Sequence, residues 1–531
     1  MDEQDFDVVV IGSGFGGSVA ALRLSEKGWR VAVLEQGRRL DERAIEEAGT
    51  SPRALAWAPA LGFKGFFAQD VYRHVAIVRG IGVGGGSLVY AAVLLEPNDR
   101  FYSDPAWAAL SVDWRTELAP HYATAKRMLG VTPNPTHGIQ DDWLRATAVR
   151  MGAADTFGTV PQGIYFGDPN HASPDPFFDG KGPQRTGCNR CGRCITGCAF
   201  GAKNTLDRNY LYFAEGLGAR VFPERQVTHL EPTQAGGYAV HYRHPWDTSG
   251  ASGVVRARRV VLAAGALGSM EILFASRDRY KSLPRISRAL GAHVRTNSEA
   301  IVGILSDDEA TDVTHGATIS SHFYADARTH ITQNRFPESY RFMKWYMGPL
   351  VDGERPLWRA LRTLVAFFLH PIRSTRSFRA RRWHRRISVL TVMQQADNEI
   401  AFDYGRSLFR GFRYALRSRV GRGGRSPSYL PQANAAARAF ADASGGTPLN
   451  MLMESIGNQS VTAHILGGAV MAADPSAGVV DASHEVFGYP GLYVVDASAI
   501  PANVGVNPSL TITALAERFA TKFPSKQENP K

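Results

Sequence analysis

The chain has 531 residues, of which 44% are hydrophobic and 21% charged, so it is an ordinary globular protein in composition and long enough for two domains. Its formal net charge of +11 favours anionic partners such as phospholipid, but no nucleic-acid-binding module accompanies that charge. The acidic start lacks a secretory signal, and no run reaches the ~18 apolar residues of a membrane-spanning helix, so we expect a cytoplasmic location, at most peripheral on the inner face of a membrane.

The first predicted element is a buried strand over residues 6–11, made largely of valine and isoleucine. A glycine-rich turn, a helix over 18–27 and a second strand over 30–34 follow, which together form a βαβ unit. Two later apolar runs, 260–265 and 492–496, predict more strands of the same sheet. Because these strands are spread along the whole chain, we predict a discontinuous Rossmann-like domain of the α/β class.

The predicted domain boundaries follow from the positions of these strands along the chain. The Rossmann-like domain is assigned to 1–95, 200–285 and 460–525. The intervening segments, 95–200 and 285–460, are assigned to a substrate-binding domain of the α+β type with a mostly antiparallel sheet.

The turn after the first strand reads Gly12-Ser-Gly14-Phe-Gly-Gly17, which is the G-x-G-x-x-G pattern of dinucleotide-binding folds. Gly12 permits the tight turn, Gly14 lets a pyrophosphate approach the backbone, and Gly17 lets helix and strand pack closely. Glu35 ends the next strand, where its carboxylate can accept hydrogen bonds from ribose hydroxyls. The pattern predicts a dinucleotide whose phosphates lie at the helix N-terminus.

Four later segments resemble signatures of the glucose–methanol–choline (GMC) oxidoreductase family. They are 79–90 with its run of three glycines, 260–273, the stretch 462–468 around His464, and 491–515. They occur in the family's order and span nearly the whole chain, and 79–90 is most similar to the cholesterol oxidase branch. The resemblance implies an FAD-dependent enzyme that oxidises an alcohol by hydride transfer to the flavin.

The same resemblance implies which positions hold FAD. They are Gly12, Gly14, Phe15, Gly16, Gly17, Glu35, Gly85, Ser87, Val227, Ala264, Gly265, Asp496, Asn507 and Pro508. The glycines at 84–86 also have a physical reason, because a backbone without Cβ atoms can lie against a flat ring and its phosphates. Val227 is included only because it lies in a strand before the 260–273 signature.

By resemblance, His464 and Asn507 are the catalytic pair. An imidazole can accept the proton of the alcohol near neutral pH, and an amide can hydrogen-bond the substrate oxygen. Cholesterol oxidases use an additional buried glutamate, for which Glu299 and Glu454 are the two candidates here. Tyr90 stands where the secreted cholesterol oxidases have a smaller polar residue, so the pocket is expected to differ. The expected substrate is a bulky or lipophilic alcohol, with a hydroxysteroid as one case.

All four cysteines, Cys188, Cys191, Cys194 and Cys198, lie within eleven residues, with two, two and three residues between them. This spacing is typical of ferredoxin-type binding, which predicts a [4Fe–4S] or [3Fe–4S] iron–sulfur cluster that takes electrons from the flavin. However, Ala199 stands where ferredoxins carry proline, and no second cysteine run is present. A structural zinc ion and four free thiols are the alternatives.

The stretch 355–386 holds ten arginines and no acidic residue, interleaved with tryptophan and phenylalanine. This pattern predicts either peripheral contact with a phospholipid surface or a solvated helix face.

The external electron acceptor is left open among a quinone, a redox protein and O2. Without a cluster, an oxygen-using alcohol or sterol oxidase is expected, and an electron-transfer flavoprotein or a lyase with an idle flavin are the contrasting hypotheses.

Overall fold

The computed structural model describes residues 6–247, 252–407, 412–421, 424 and 426–527. One of its two main sheets has five parallel strands and is called the parallel sheet below. In spatial order the strands are Arg220–Phe222, Val31–Leu34, Val8–Ile11, Arg259–Leu262 and Leu492–Val494. The strands Val8–Ile11 and Val31–Leu34 consist only of buried aliphatic residues, as expected where a sheet is covered on both faces.

Four of these strands confirm the sequence prediction to within three residues at each end. The edge strand Arg220–Phe222 is not predicted, because three residues with a charged start carry too short a pattern to recognise. The α/β class and the Rossmann-like arrangement of the fold are confirmed.

The other main sheet has seven antiparallel strands and is called the antiparallel sheet. Its strands, in spatial order, are Met347–Pro349, Gly446–Met451, Ala300–Ser306, Ile387–Gln394, Thr329–Asn334, Ser321–Asp326 and Gly158–Thr159. The predicted domain boundaries stay a prediction, since the hydrophobic core around the parallel sheet also includes Trp107, Leu118 and Phe402, which lie in segments assigned to the other domain.

Smaller sheets and the helices complete the fold. One three-stranded sheet consists of Gln226–Pro232, Tyr238–Arg243 and Gly253–Ala257, and another of Ser460–Thr462, Val75–Gly80 and Phe67–Val71. The remaining strands form four pairs: Ile400–Ser407 with Arg413–Val420, Trp57–Ala58 with Phe63–Lys64, Thr132–Pro133 with Pro161–Gln162, and Ala172–Ser173 with Arg185–Thr186. The α-helices are Phe15–Glu26, Glu42–Thr50, Pro52–Leu55, Asp99–Tyr102, Pro105–Ala108, Trp114–Met128, Ile139–Arg150, Tyr210–Gly216, Gly265–Phe274, Pro356–Leu369, Pro371–Ser374, Arg376–Arg379, Trp383–Arg386, Pro431–Ser444, Leu452–Ser455 and Ser509–Lys522. Among the described residues, none of these helices is long and apolar enough to cross a membrane.

The helix Phe15–Glu26 packs closer to the parallel sheet than any side chain would permit. A Cβ atom at Gly17 would lie 2.0 Å from the carbonyl oxygen of Gly12, and one at Gly16 would lie 1.6 Å from that of Val495. Glycine is therefore required at both positions by backbone contact, independently of any cofactor.

We predict that Gly17→Ala lowers the free energy of unfolding by about 1–3 kcal/mol, because the helix must move away from the turn. Gly216→Ala is the matched control: Gly216 also lies in a helix, and a Cβ there meets nothing within 4 Å. Because alanine favours a helix more than glycine does, this control should not destabilise the protein and should stabilise it by at most about 1 kcal/mol. Thermal unfolding of the purified variants measures both, and equal melting temperatures would contradict the packing argument.

Candidate active site

A cavity of about 1150 Å³ is lined by residues of both main sheets. Its volume exceeds the ~300–1,000 Å³ of a typical pocket for one small ligand, so it has room for a cofactor and a substrate together. The predicted cofactor positions that line it are Gly12, Gly14, Phe15, Gly16, Glu35, Gly85, Val227, Ala264, Gly265, Asp496, Asn507 and Pro508.

Two predicted cofactor positions support the cavity wall from behind. Gly17 packs on the carbonyl of Gly12 as described above. The buried Ser87 hydroxyl donates to the carbonyl oxygen of Gly84 at 2.7 Å and accepts from the backbone N–H of Leu206 at 3.0 Å. Ser87 therefore fixes the shape of the glycine loop that faces the cavity.

Three helices begin at the wall of this cavity. Phe15, Gly265 and Ser509 are their first residues, and all three line it. Helix N-termini present unpaired N–H donors and a positive dipole end, so this wall suits the phosphates of a dinucleotide. A Cβ atom at Gly14 would meet nothing within 4 Å, which leaves the backbone of the turn open to a ligand. The residues present therefore fit FAD.

Glu35 is buried at the end of its strand, as predicted, but its carboxylate already has partners in the protein. It accepts hydrogen bonds from the backbone N–H and hydroxyl of Ser13 at 3.1 and 2.8 Å, and from the N–H of Gly37 at 2.9 Å. Burial raises the pKa of Glu35, and these three donors oppose that effect. Glu35 thus braces the glycine turn, and its contact with a ribose stays a prediction.

His464 lies between two polar side chains that come from distant parts of the chain. Its Nδ1 is hydrogen-bonded to the carboxylate of Glu299, and the amide nitrogen of Asn507 is 3.1 Å from its Nε2. Because a carboxylate only accepts, the proton is assigned to Nδ1 and the lone pair to Nε2. The amide oxygen of Asn507 is buried without a hydrogen-bond partner in the described structure, which marks a place for a ligand donor.

The two candidate glutamates occupy different positions. Glu299 touches His464 directly and also accepts from the backbone N–H of Ala463 at 3.0 Å. Glu454 instead accepts from the N–H of Ile301 at 3.1 Å and does not line the cavity. Burial, with the nearby charge of Glu299, raises the pKa of Glu454 to about 8. Only Glu299 is therefore in contact with the predicted catalytic pair.

Many of the residues that line the cavity are apolar, and together they are called the apolar chamber below. They include Ile301, Ile319, Phe336, Tyr340, Met343, Val389, Met451 and Val461, while Thr332, Asn334 and Thr391 are polar residues of the same lining. Tyr90 also lines the cavity and is fixed by its hydroxyl, which donates to the carbonyl oxygen of Asn204 at 2.6 Å. The site thus joins a polar pair to an apolar chamber.

The four cysteines give no support to the predicted metal site. Within the described residues, which include all four, no three His, Cys, Asp or Glu side chains form a group that could hold a metal ion, and none of the four cysteines is in a disulfide bond. Cys188, Cys194 and Cys198 pack instead against a small apolar cluster beside Tyr90, as small hydrophobic side chains do. Burial raises the pKa of Cys188 to about 12 and that of Cys191 to about 11.

Comparison with known proteins agrees with this geometry. GMC oxidoreductase family models match residues 183–295 and 394–516, and an FAD dependent oxidoreductase model matches 7–69. The cholesterol oxidase of Mycobacterium tuberculosis (strain ATCC 25618 / H37Rv) is 42% identical over 547 residues, which cover 99% of this chain and 92% of that protein. The chain belongs to the GMC oxidoreductases. It is an FAD-dependent enzyme that acts on CH–OH groups.

Other relatives of this GMC oxidoreductase are named for cholesterol or for a different alcohol. The cholesterol oxidase of Acinetobacter baumannii is 39% identical, with 99% of this chain and 96% of that protein covered. The long-chain-alcohol oxidase FAO4B of Arabidopsis thaliana is 25% identical, with coverage of 98% and 68%. Among solved structures, pyridoxine 4-oxidase from Mesorbium loti superposes with a TM-score of 0.65 at 19% identity, covering 98% of this chain and 99% of that one, which supports the fold.

Sequence reasoning missed two features of this site. The helix that begins at Ser509 also has its N-terminus at the cavity, and no glycine fingerprint marks it in the sequence. The contact between Glu299 and His464 was not predicted either, although a lone acid directly before the apolar strand Ala300–Ser306 was a usable signal.

We predict that Glu454→Gln makes the oxidoreductase more stable at alkaline pH. Below about pH 4.5 the carboxyl is protonated in both states. Between pH 4.5 and about 8 the unfolded chain releases the proton while the folded chain keeps it, so this group lowers stability as pH rises. Glutamine keeps the acceptor for Ile301 and removes the titration. Denaturant unfolding at pH 6 and pH 9 should therefore show the variant gaining more than about 1 kcal/mol on the wild type at the higher pH; a constant difference would contradict it.

Proposed function

We propose that this GMC oxidoreductase oxidises the hydroxyl group of a bulky lipophilic alcohol, with a hydroxysteroid as the leading substrate and a long-chain alcohol as the second. The observation that carries the proposal is a single cavity that is lined by the apolar chamber and also by the contacting pair His464 and Asn507. An apolar wall binds a hydrocarbon skeleton, and the polar pair binds a single hydroxyl. The relatives named as cholesterol oxidases and a long-chain-alcohol oxidase support this substrate class.

His464 is proposed to accept the proton of the substrate hydroxyl at Nε2, the ring nitrogen that carries the lone pair. Asn507 then releases His464 and donates to the same substrate oxygen. Glu299 stabilises the imidazolium that forms and holds the ring in the required tautomer, so it acts as a positioning residue. When bound, FAD supplies the acceptor for the hydride that leaves the carbinol carbon.

The cofactor contacts are proposed residue by residue. The backbone of Gly12–Gly17 holds the pyrophosphate, and Glu35 completes the turn and faces the ribose. The glycine loop 84–86, together with Ala264, Gly265, Asp496 and Pro508, surrounds the rest of the dinucleotide.

Molecular oxygen is the proposed electron acceptor, so that one alcohol and one O2 give one ketone or aldehyde and one hydrogen peroxide. The relatives named as oxidases support this choice. An iron–sulfur exit, with a quinone or a redox protein as final acceptor, stays a prediction from the spacing of Cys188, Cys191, Cys194 and Cys198. Finding iron and acid-labile sulfide in anaerobically purified protein would support this iron–sulfur route.

Anaerobic mixing with a panel of alcohols tests the proposed function. We predict that a 3β-hydroxysteroid bleaches the visible flavin absorbance, whereas a short alcohol such as ethanol does not, because it cannot fill the apolar chamber. Admission of air should restore the absorbance and release peroxide in equal amount to the substrate consumed. Bleaching by no alcohol would favour the electron-transfer or lyase hypotheses. Bleaching that persists in air would contradict oxygen as acceptor.

We predict that His464→Ala retains FAD and loses about 10²–10⁴-fold in kcat, because it removes the proton acceptor and not a cofactor contact. Glu299→Gln should lower kcat less and should also move the acid limb of the kcat–pH profile to lower pH, because the imidazolium loses its charged partner. Glu231→Gln is the matched control, since Glu231 pairs with His241 on the surface. A Glu299→Gln profile that is lower but unshifted would show a merely structural role for this carboxylate.

A further inference from the structure

The helix Pro356–Leu369 turns its apolar face to solvent. The large side chains Leu357, Trp358, Leu361, Leu364, Phe368 and, just beyond the helix, Ile372 are all exposed, and Leu357 and Phe368 are 86% and 85% exposed. These positions recur every three or four residues and therefore form one stripe along the helix. A continuous apolar stripe of this kind marks an interaction surface.

Buried hydrogen bonds fix the orientation of this helix. Arg359 lies on the inward face and donates to the carbonyl oxygen and hydroxyl of Ser428 at 2.9 and 2.7 Å, and to the carbonyl oxygen of Glu454. The buried Thr363 lies one turn further along the same face. Rotating the helix to hide its apolar stripe would break these hydrogen bonds and leave buried polar groups unpaired, so the structure itself holds the stripe towards solvent.

Most of the exposed arginines in the same stretch of chain as the stripe have no acidic partner within the described structure. Arg376 and Arg385 form salt bridges with Asp307 and Asp312. Arg355, Arg362, Arg373, Arg379, Arg381 and Arg382 are exposed and make no salt bridge to any residue that the structure describes. No acidic residue occurs in 355–386 to balance them. The surface therefore combines apolar side chains with a concentrated positive charge.

Aromatic packing connects this surface to the substrate cavity. Phe367 stacks on Phe378 with ring centroids 6.1 Å apart, and Phe378 packs against Trp345 at 5.5 Å. Trp345 belongs to the 3₁₀ segment Glu338–Tyr346, which also contributes Tyr340 and Met343 to the cavity wall. One short segment thus has residues in the cavity and residues at the edge of the exposed surface.

We propose that the helix Pro356–Leu369 and the arginines around it dock on an anionic phospholipid bilayer. The stripe enters the headgroup–acyl boundary while the arginines bind lipid phosphates. A second copy of this chain fits less well, because a symmetric dimer would place two arginine clusters against each other with no acid between them. If the proposed function holds, lipophilic substrate then passes from the bilayer into the cavity beside Glu338–Tyr346.

Vesicle sedimentation of the FAD-loaded enzyme tests the docking. Vesicles of phosphatidylcholine with phosphatidylglycerol should bind it, and pure phosphatidylcholine should bind it at least tenfold more weakly. Leu364→Glu should weaken binding at least tenfold, whereas Leu217→Glu, at a position with matching exposure of 56% against 55%, should not. Arg373→Gln should weaken binding about fivefold, as expected for one cation near an anionic surface, and the exposed Arg150→Gln is its control. Equal binding of all variants, or no binding by the native enzyme, would overturn the proposal.

Measurements of turnover distinguish a failure of the membrane-docking proposal from a failure of the proposed substrate. With sterol embedded in anionic vesicles, Leu364→Glu should lose turnover in step with binding, and with detergent-solubilised sterol it should match the wild type. No turnover in either form by the wild type, with vesicle binding intact, would refute the substrate and leave the docking standing. A native dimer that Leu364→Glu converts to monomer, without vesicle binding, would assign the stripe to self-association. Leu364→Ser, with unchanged flavin absorbance and melting temperature, repeats the test should glutamate disturb folding.

Discussion

The structure depends on backbone-to-backbone contact between segments that are far apart in the chain. A Cβ atom at Gly16 would lie 1.6 Å from the carbonyl oxygen of Val495, and one at Gly85 would lie 2.6 Å from the Cα of Gly14. Such contacts exclude every side chain, so they fix the first turn, the glycine loop and the C-terminal strand at one separation. The cofactor wall of the cavity is made of these three segments, and its shape follows from their contact.

The positions of the proposed catalytic residues depend on the same constraint. Gly467 lies three residues after His464 and has a φ of +79°, and a Cβ there would lie 2.0 Å from the carbonyl oxygen of His293. The loop that carries the imidazole is thus held against the segment that leads to Glu299. Asn507 stands just before the helix Ser509–Lys522, whose N-terminus lines the cavity. Each polar group therefore comes from a segment with little freedom to move, which is what preorganised proton transfer requires.

Local patterns were enough to predict the parallel sheet and its glycine turn, because buried valine-rich strands and G-x-G-x-x-G are short, continuous signals. The antiparallel sheet could be predicted as a class but not in register, since its neighbouring strands Ala300–Ser306 and Gly446–Met451 are separated by more than a hundred residues. The cysteine spacing could not decide the metal site for a related reason. Intervals of two, two and three residues constrain the backbone, but tertiary packing decides where each thiol points, and here three of them face an apolar cluster.

Glu454 joins the exposed helix Pro356–Leu369 to the segment that carries Glu299. Its carbonyl oxygen accepts from Arg359 of the helix, while its side chain accepts from the N–H of Ile301, two residues after Glu299. Because burial raises the pKa of Glu454 to about 8, its carboxyl is mostly protonated at neutral pH and adds little negative charge next to Glu299. The short helix Leu452–Ser455 therefore holds the outer helix through a backbone carbonyl and the segment after Glu299 through a side chain that is mostly neutral.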